Sequence, residues 1–320
     1  MIEALGPPLA DSPGCSGKPP LLGYEKRSAS GLGVVYEGLG AKDGTGVDGS
    51  GMDGLRKKGN VLLRELVGGL VFGGYFRVGM MNYPYVSLVI PCYNEGARLL
   101  ALWRGISDFA AQWPGRFDVV LVDDGSTEDD LKGLETMAGY TAIADRLEII
   151  RQVNMGKGGA LKTGVLSAKG DYILTLDADM AAEPTQLLDW WVRRAGFFER
   201  EIFIGSRELP QSEVIDSVQR RQVGRVFNRM IRWMTGLPYR DTQCGFKLYS
   251  RGVAVELFSA LQTMGWAHDV ELLLRANRAG YAIVQMPLRW TAVAGSKINV
   301  WRDSWVMFGE LIRIVMMGIR

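Results

Sequence analysis

Residues 172–179 read Tyr172-Ile-Leu-Thr-Leu-Asp177-Ala-Asp179, an apolar run of strand length that ends in two carboxylates. Side chains alternate between the faces of a strand, so Asp177 and Asp179 can point in the same direction. A buried parallel strand delivers such residues to its carboxyl end, where open α/β sheets bind ligands. Because like charges repel each other there, the pattern predicts a site for a hard divalent cation shared with substrate phosphates. An isolated Asp-x-Asp is also typical of solvated turns, so this interpretation depends on the neighbouring segments.

Strand-like and helix-like segments alternate around this run. The predicted strands span Tyr85–Ile90, Asp118–Val122, Leu147–Arg151, Tyr172–Leu176 and Ile202–Ile204. The predicted helices between and after them span Glu95–Trp113, Gly156–Ala168 and Pro184–Phe198. Further along lie a basic amphipathic segment from Glu213 to Met234, a strand at Tyr281–Met286 and a helix at Asp303–Ile319. This alternation predicts an α/β fold with a mixed, mainly parallel sheet flanked by helices.

Polar residues follow the first two predicted strands. The first strand leads into Pro91-Cys-Tyr93-Asn94-Glu95, and the second into Asp123-Asp124-Gly-Ser126-Thr127. Asn94 can cap the helix after the first strand, and free N–H groups at a helix start favour a nucleotide diphosphate. Asp123 and Asp124 can accept hydrogen bonds from a base or from ribose hydroxyls. Each turn alone is also consistent with ordinary helix capping.

The third predicted strand leads into a glycine-rich turn, Asn154-Met-Gly156-Lys157-Gly158-Gly159. Glycines let the backbone approach a ligand closely, and Lys157 supplies a charge that attracts phosphate. The turn is not a Walker A loop, because the glycine spacing and the trailing Ser or Thr are absent. Its importance lies in its position at the end of another strand.

The overall composition excludes several classes of function. A net charge of +2 over 320 residues creates no strong field that would favour nucleic acid as a partner. The single histidine, His268, excludes His-rich metal sites and disfavours a Ser-His-Asp triad. Cys15, Cys92 and Cys244 are too few and too scattered for a disulfide framework, so we expect a reducing compartment.

The amino-terminal quarter differs in composition from the rest of the chain. Residues 1–82 are rich in glycine, with prolines, serines and isolated charges between them. Such a segment cannot bury enough apolar surface to offset its ordering entropy, so we expect a disordered extension. Its most apolar stretch, Val61–Val78, contains Arg64, Glu65 and Arg77 and is not expected to span a membrane. We assign residues 83–300 to the folded domain and 301–320 to a carboxyl-terminal amphipathic helix.

The four strand-end motifs together resemble the inverting, nucleotide-sugar-dependent glycosyltransferases of family 2, over residues 83–300. The resemblance implies a GT-A (Rossmann-like) fold, a nucleotide-diphosphate sugar donor, and Mg²⁺ or Mn²⁺ as cofactor. It implies that the base and ribose are held by Pro91, Tyr93, Glu95, Asp123 and Asp124. The resemblance further implies that Lys157 and Gly158 lie beside the donor. It also implies that Asp177 and Asp179 bind the metal ion on the diphosphate.

Two motifs in the second half resemble a narrower subgroup, the enzymes that glycosylate polyprenyl phosphates. They are Asp241-Thr-Gln-Cys-Gly-Phe-Lys247 and Trp266-Ala-His-Asp269-Val-Glu-Leu-Leu274. They match dolichyl-phosphate glucosyltransferases more closely than mannose synthases, which commonly have glutamine where this chain has Ala181. The implied reaction is inverting transfer of a hexose to a polyprenyl or dolichyl phosphate, with UDP-glucose as the expected donor.

The resemblance also implies catalytic roles for two further carboxylates. Asp269 aligns with the general base of members whose acceptor is a hydroxyl. A phosphate acceptor is already anionic, so Asp269 would then orient the acceptor or nearby arginines. For Asp241 the alternative is a purely structural role in a turn.

Arginine side chains are the candidates for holding the acceptor phosphate, because a guanidinium offers bidentate donors. We assign this role to Arg207, Arg220 and Arg221; the choice among Arg220, Arg221 and Arg225 stays open. The basic side chains of the amphipathic segment from Glu213 to Met234 form either a solvated surface or a surface that adheres to an anionic membrane. The terminal helix allows the same two alternatives, packing on the domain or lying in the membrane interface.

The expected location is therefore peripheral, on the cytosolic side of a membrane, the plasma membrane in a bacterium or the endoplasmic reticulum in a eukaryote. Three alternative functions stay open. One is mannosyl transfer from GDP-mannose to the same lipid, and another is transfer to a hydroxyl acceptor with Asp269 as an essential base. The third is a catalytically silent GT-A domain that binds nucleotide-sugar as a regulator or scaffold.

Overall fold

The computed structural model describes residues 83–138, 144–293 and 300–319. The expected disordered extension over residues 1–82, with its apolar stretch Val61–Val78, lies outside the described residues. The strands are β1 (Val86–Cys92), β2 (Phe117–Asp123), β3 (Arg146–Arg151), β4 (Tyr172–Thr175), β5 (Glu201–Gly205), β6 (Glu213–Ile215), β7 (Lys247–Ser250), β8 (Ala282–Met286) and β9 (Arg289–Thr291). The helices are α1 (Leu99–Gln112), α2 (Glu128–Ala138), α3 (Lys157–Ser167), α4 (Gln186–Arg194), α5 (Val218–Thr235), α6 (Arg251–Ala260), α7 (His268–Arg278) and α8 (Val300–Met316).

The main sheet has the strand order β3-β2-β1-β4-β7-β5-β8. Neighbouring strands are parallel except β7, which runs antiparallel to both β4 and β5. The predicted mixed, mainly parallel sheet is thus confirmed. β6 and β9 form a separate parallel pair.

The register of the sheet brings one end of each central strand to a common edge. Cys92, at the end of β1, is paired with Asp123, at the end of β2. Thr175, at the end of β4, lies opposite Lys247, the first residue of the antiparallel β7. The start of β7 therefore lies at the same edge as the carboxyl ends of its parallel neighbours, and this edge carries the polar motifs.

Helices cover both faces of the sheet. On one face Val89 and Val120 pack in a core with α3, α6, α7 and α8, and on the other Leu88 and Leu121 pack with α1 and α4. β1 and β2 are buried along nearly their whole length, as is typical of parallel strands covered on both faces. This double burial fixes the strands, so the loops at their ends are held on a rigid base.

The bounds of several predicted elements differ from the structure. The helix predicted over Glu95–Trp113 is a short 3₁₀ turn at Gly96–Arg98 followed by α1. The amphipathic segment predicted from Glu213 begins as strand β6, and its helix starts only at Val218. β4 ends at Thr175, one residue earlier than predicted. None of the described helices is long and apolar enough to cross a membrane.

Candidate active site

The two carboxylates Asp177 and Asp179 lie in a tight turn after β4 rather than on the strand. The Met180 N–H donates to the Asp177 carbonyl oxygen at 3.2 Å, and the Ala181 N–H donates to Asp179 Oδ1 at 3.0 Å. Met180 has a φ of +54°, a left-handed conformation that is uncommon outside glycine. Both aspartates are partly exposed, so the turn, and not strand alternation, places two accessible carboxylates at the edge of the sheet.

Lys157, the first residue of α3, reaches across to this turn. Its Nζ lies 2.6 Å from Asp177 Oδ1 and 5.6 Å from the ring centre of Trp266. Burial lowers the pKa of Lys157, but the charges of Asp177 and Asp269 outweigh this effect and raise the pKa overall. The ammonium group therefore stays charged at neutral pH, where it can neutralise a phosphate.

The carboxylate pair fits a divalent metal ion. Burial and the charge of Asp177 raise the pKa of Asp179, so the pair carries a repulsion that a cation would relieve. Carboxylate oxygens are the ligands that Mg²⁺ and Mn²⁺ prefer. The described residues contain no group of three or more His, Cys, Asp or Glu that could hold a metal. The remaining ligands would accordingly be diphosphate oxygens and water.

A glycine next to the turn makes room for the Asp177 carboxylate. A Cβ at Gly245 would lie 2.6 Å from Asp177 Oδ2 and 2.7 Å from Oδ1. Any larger residue would push the carboxylate away from its position beside Lys157. The loop before β7 thus shapes the same site as the turn after β4.

Arg207 and Asp241 form a buried bidentate pair beside this turn. The Arg207 Nε and Nη2 groups donate to the two carboxylate oxygens of Asp241 at 2.7 and 2.9 Å, and the Arg207 backbone N–H donates at 3.0 Å. Burial alone would raise the pKa of Asp241, but the Arg207 guanidinium outweighs it and lowers the pKa. Arg207 also lies 5.4 Å from the ring centre of Trp290. Asp241 therefore fixes the guanidinium in one orientation.

A second buried ion pair joins β7 to α7. Lys247 Nζ donates to Asp269 Oδ1 at 2.7 Å and also to the Cys244 carbonyl oxygen. His268 Nε2 lies 3.5 Å from the same carboxylate oxygen, and its Nδ1–H donates to the Gly265 carbonyl oxygen at 2.8 Å. Burial would raise the pKa of Asp269, but His268, Lys247 and Lys157 together lower it. Asp269 is therefore ionised and is a weak proton acceptor.

The strand-end aspartates Asp123 and Asp124 have different surroundings. Asp124 accepts hydrogen bonds from Gln152 Nε2 at 2.7 Å and from the N–H groups of Met155 and Gly156, both at 2.8 Å. These contacts tie the end of β2 to the glycine-rich turn. Asp123 Oδ1 accepts the Ser126 N–H at 3.3 Å, whereas its buried Oδ2 accepts no hydrogen bond from the described residues and lies 3.9 Å from Arg151 Nε. Asp123 therefore has one oxygen that is bound within its own turn and one that faces the Arg151 guanidinium.

The turn after β1 is built differently from the prediction. Asn94, with a φ of +53°, does not cap the helix that follows β1. Its Oδ1 accepts the Thr127 N–H at 2.9 Å, and its own N–H donates to Ser126 Oγ at 2.8 Å. The turns after β1 and β2 are therefore locked together. Tyr93 is exposed and Glu95 pairs with Arg98 at 3.1 Å, on the same stretch as Pro91.

A protein-family model matches this chain in the region that holds these motifs. The model is described as Glycosyl transferase family 2, and it covers residues 87–258, more than half of the chain. The chain belongs to glycosyl transferase family 2.

Several relatives of this family 2 chain carry the name dolichyl-phosphate beta-glucosyltransferase. The dolichyl-phosphate beta-glucosyltransferase of Saccharomyces cerevisiae is 33% identical over 248 residues, 72% of this chain and 74% of that protein. The Homo sapiens protein of the same name is 32% identical over 242 residues, 70% of this chain and 72% of that protein. The predicted resemblance to this group is confirmed.

A solved structure supports the fold. Glucosyl-3-phosphoglycerate synthase from Mycobacterium tuberculosis, in complex with Mn²⁺, UDP-glucose and glycerol 3-phosphate, aligns with a TM-score of 0.53 at 19% identity. The alignment covers 78% of this chain and 86% of that one. At this identity the likeness shows the fold alone, and it confirms the predicted GT-A architecture.

The two predicted acceptor residues Arg220 and Arg221 belong to α5. Arg220 and Arg221 lie in the first turn of α5; the side chain of Arg220 is outside the described parts of the structure. Among the described hydrogen bonds and ion pairs, none joins the Arg221 side chain to Arg207 or Asp177. Arg225, one turn later, pairs with Glu208 at 3.0 Å. α5 therefore lies beside the loop of Arg207, and the acceptor role of Arg220 and Arg221 stays a prediction.

Gly158 is placed for packing as well as for ligand approach. A Cβ at this position would lie 2.7 Å from both the Thr263 carbonyl oxygen and His268 Cβ. Gly158 is buried, and its lack of a side chain lets α3 approach the segment that leads into α7. The glycine-rich turn thus holds Lys157 against Trp266.

Sequence reasoning missed Lys247 as a member of this site. Its ammonium group is buried at the start of β7, between the Cys244 carbonyl oxygen and Asp269. A signal was present, because Lys247 stands in the otherwise apolar run Phe246-Lys-Leu-Tyr249. A lysine that is buried in a strand requires an acceptor, and only the fold identifies Asp269 as that acceptor.

Proposed function

We propose that this family 2 glycosyltransferase transfers glucose from UDP-glucose to a dolichyl or other polyprenyl phosphate, with inversion at the anomeric carbon. One observation carries the proposal: the carboxylate pair suited to a metal–diphosphate lies near a fixed, charged Arg207 at one edge of the sheet. Burial lowers the pKa of Arg207, but Asp241 outweighs it and raises the pKa, with a smaller contribution from Asp177. A site of this kind can hold two phosphate-bearing substrates at once. The names of the relatives point to glucose and dolichyl phosphate.

The donor would bind at the turns after β1, β2 and β4. Asp123 would accept a hydrogen bond from the base, with Pro91, Tyr93 and Glu95 beside it. Lys157 would neutralise the diphosphate, and Asp177 and Asp179 would hold Mg²⁺ or Mn²⁺ on it. The metal ion would supply charge stabilisation for the departing nucleotide.

The surroundings of Asp269 favour a phosphate acceptor over a hydroxyl acceptor. An efficient general base has a pKa near the working pH, whereas Lys247 and its neighbours lower the pKa of Asp269. A phosphate is already anionic and needs no strong base. Asp269 would then hold the buried Lys247, as Asp241 holds Arg207, and the more accessible Arg207 would orient the acceptor phosphate.

Exposed apolar and basic side chains on α5 and α8 suit a lipid acceptor. α5 exposes Val226 and Trp233 together with Arg229, and α8 exposes Trp305 and Met316. The two helices contact each other. We propose that this surface lies on an anionic membrane, on the cytosolic side, with tryptophans at the level of the headgroups.

A donor screen with the full chain tests the proposed function. The purified protein is incubated with Mg²⁺ or Mn²⁺, a short polyprenyl phosphate and one of UDP-glucose, UDP-galactose, UDP-GlcNAc or GDP-mannose. We expect a lipid-linked hexose by mass spectrometry from UDP-glucose alone, with a β linkage by NMR. Turnover with GDP-mannose instead would overturn the choice of sugar. Nucleotide release without a lipid product would overturn the choice of acceptor.

A further inference from the structure

The carboxylate of Glu310, on α8, has no part in the proposed chemistry, yet it contacts the helix that carries Asp269. Glu310 Oε2 accepts the Ala267 N–H at 2.8 Å, and the Trp266 N–H also donates to this carboxylate. Ala267 is the residue just before α7. Its side chain has no polar atom and therefore cannot cap the helix. Free N–H groups at a helix start require an acceptor, and the positive end of the helix dipole favours an anion. Glu310 therefore supplies from α8 the cap that α7 lacks.

The fit between the two segments is close. A Cβ at Gly265 would lie 1.8 Å from Glu310 Oε1, so any larger residue there would displace the carboxylate. Leu311 and Ile314 of α8 are buried in the same core as Leu273 of α7. The carboxylate is thus held in place by a packed helix, not by a mobile loop.

The segment that Glu310 holds carries several contacts of the site. Trp266 lies over Lys157, and the His268 imidazole donates to the Gly265 carbonyl oxygen. Asp269 follows directly and pairs with Lys247. A shift of residues 265–269 would therefore change the surroundings of Lys157 and Lys247 together.

We propose that Glu310 is a positioning residue: by capping α7 from α8, it holds residues 265–269, and with them Asp269 and Trp266, in the arrangement that sugar transfer needs. The kinetic part of this proposal rests on the proposed function; the structural part does not. α8 also exposes Trp305 and Met316. The same helix therefore connects the surface that is proposed to bind the membrane with the site.

The test compares Glu310→Ala and Glu310→Gln with the control Glu135→Gln, an exposed glutamate on α2. Alanine removes the acceptor, whereas glutamine keeps one acceptor oxygen without the charge. We expect kcat to fall about tenfold in Glu310→Ala, the effect of losing one helix cap, and to recover most of the way in Glu310→Gln. KM for UDP-glucose is expected to change less than kcat. The control is expected to stay within about twofold.

A second readout is independent of activity. His268 is the only histidine of the chain, so ¹⁵N-histidine labelling of the full protein gives one imidazole spectrum. We expect the Nδ1–H signal to shift in Glu310→Ala, because Gly265 accepts that hydrogen bond and lies against Glu310. If Glu310→Ala does not fold, Glu310→Asp, which shortens the side chain by one methylene group, replaces it.

The outcomes separate the two proposals. An unchanged histidine spectrum in Glu310→Ala overturns the positioning role, and so does a shifted spectrum with unchanged kcat. If the wild-type protein transfers no sugar while the spectrum still shifts, the proposed function fails and the contact between α8 and α7 stands. If the wild type transfers glucose and neither readout changes in the variant, the positioning role alone fails.

Discussion

The turn at Asp177 and the pair formed by Arg207 and Asp241 lie at the same edge of the sheet but differ in exposure. The Asp177 side chain is 39% exposed and faces one ammonium group, that of Lys157. The Asp241 side chain is 1% exposed, and both of its oxygens accept hydrogen bonds from Arg207. An accessible carboxylate with unused acceptor capacity can bind a ligand. A buried carboxylate whose oxygens are both used can only hold its partner in place.

The pKa shifts follow the same division. Burial and the charge of Asp177 raise the pKa of Asp179, so its ionised form is less favourable than that of an ordinary aspartate. Burial also acts on Asp241, but the Arg207 guanidinium outweighs it and lowers the pKa. A bound cation would therefore stabilise the carboxylate pair, whereas Asp241 already has its cation. Three experiments can test this difference between a ligand site and a fixed support.

The largest effect is expected from Asp177→Asn. The substitution removes a charge that the proposed metal–diphosphate needs, and such charge stabilisation contributes several kcal/mol. We expect kcat/KM for glucosyl transfer to fall at least about 1000-fold. Asp177→Asn also removes the ion pair with Lys157, but Asp177 is 39% exposed and next to a like charge, so the free energy of unfolding should fall by less than in the Asp241 variant below. Activity over a Mn²⁺ titration and urea unfolding measure the two quantities.

Asp129→Asn is the matched control for this change, since Asp129 is an exposed aspartate at the start of α2. It should leave both quantities unchanged. An Asp177→Asn protein that keeps wild-type activity and the same response to Mn²⁺ would show that the turn is not the metal site.

The next effect is on stability and comes from Asp241→Asn. Removing one partner of a buried ion pair leaves the other charge without compensation, at a cost of about 3–5 kcal/mol. We expect the lower end, about 3 kcal/mol, because the Arg207 side chain is 30% exposed and keeps some solvation. Urea unfolding followed by tryptophan fluorescence measures the free energy. The exposed pair of Arg289 and Asp189 is the control, and Asp189→Asn should cost less than about 1 kcal/mol. Equal losses of unfolding free energy in Asp241→Asn and Asp189→Asn would contradict the difference between a buried support and a ligand site.

The sequence was sufficient to predict those parts of the molecule whose structure depends on one short segment. Apolar runs that end in polar motifs predicted the sheet and marked the edge where Asp177, Lys157 and Asp123 lie. The bidentate donors of arginine at a strand end added Arg207, and the family resemblance added Asp241 and Asp269; the structure brings these three to the same edge.

What the sequence could not give are the contacts between distant segments. Lys247 contacts Asp269 only because β7 runs antiparallel, so that its first residue lies at the edge of the sheet that carries the polar motifs. Asn94 was expected to cap its own helix, but its side chain bonds the turn after β2, 33 residues away. Glu310 accepts the N–H of Ala267, 43 residues earlier in the chain. The spacing of residues along the chain does not predict such pairs, because they depend on strand direction and helix packing.

The smallest predicted effect is in the pH dependence of stability, and it again separates Asp241 from its surroundings. In the unfolded chain an aspartate binds a proton near pH 4, whereas the lowered pKa keeps folded Asp241 ionised. The unfolded state therefore binds more protons as the pH falls, so the contribution of Asp241 is present at neutral pH and is lost in acid. One such group contributes a slope of up to about 1.4 kcal/mol per pH unit. We expect the difference in unfolding free energy between wild type and Asp241→Asn to shrink from pH 6 to pH 3. Asp269 and Glu271, whose pKa values are also lowered, act in both proteins and cancel in the difference. Curves that stay parallel over this range would mean that Arg207 does not stabilise an ionised Asp241.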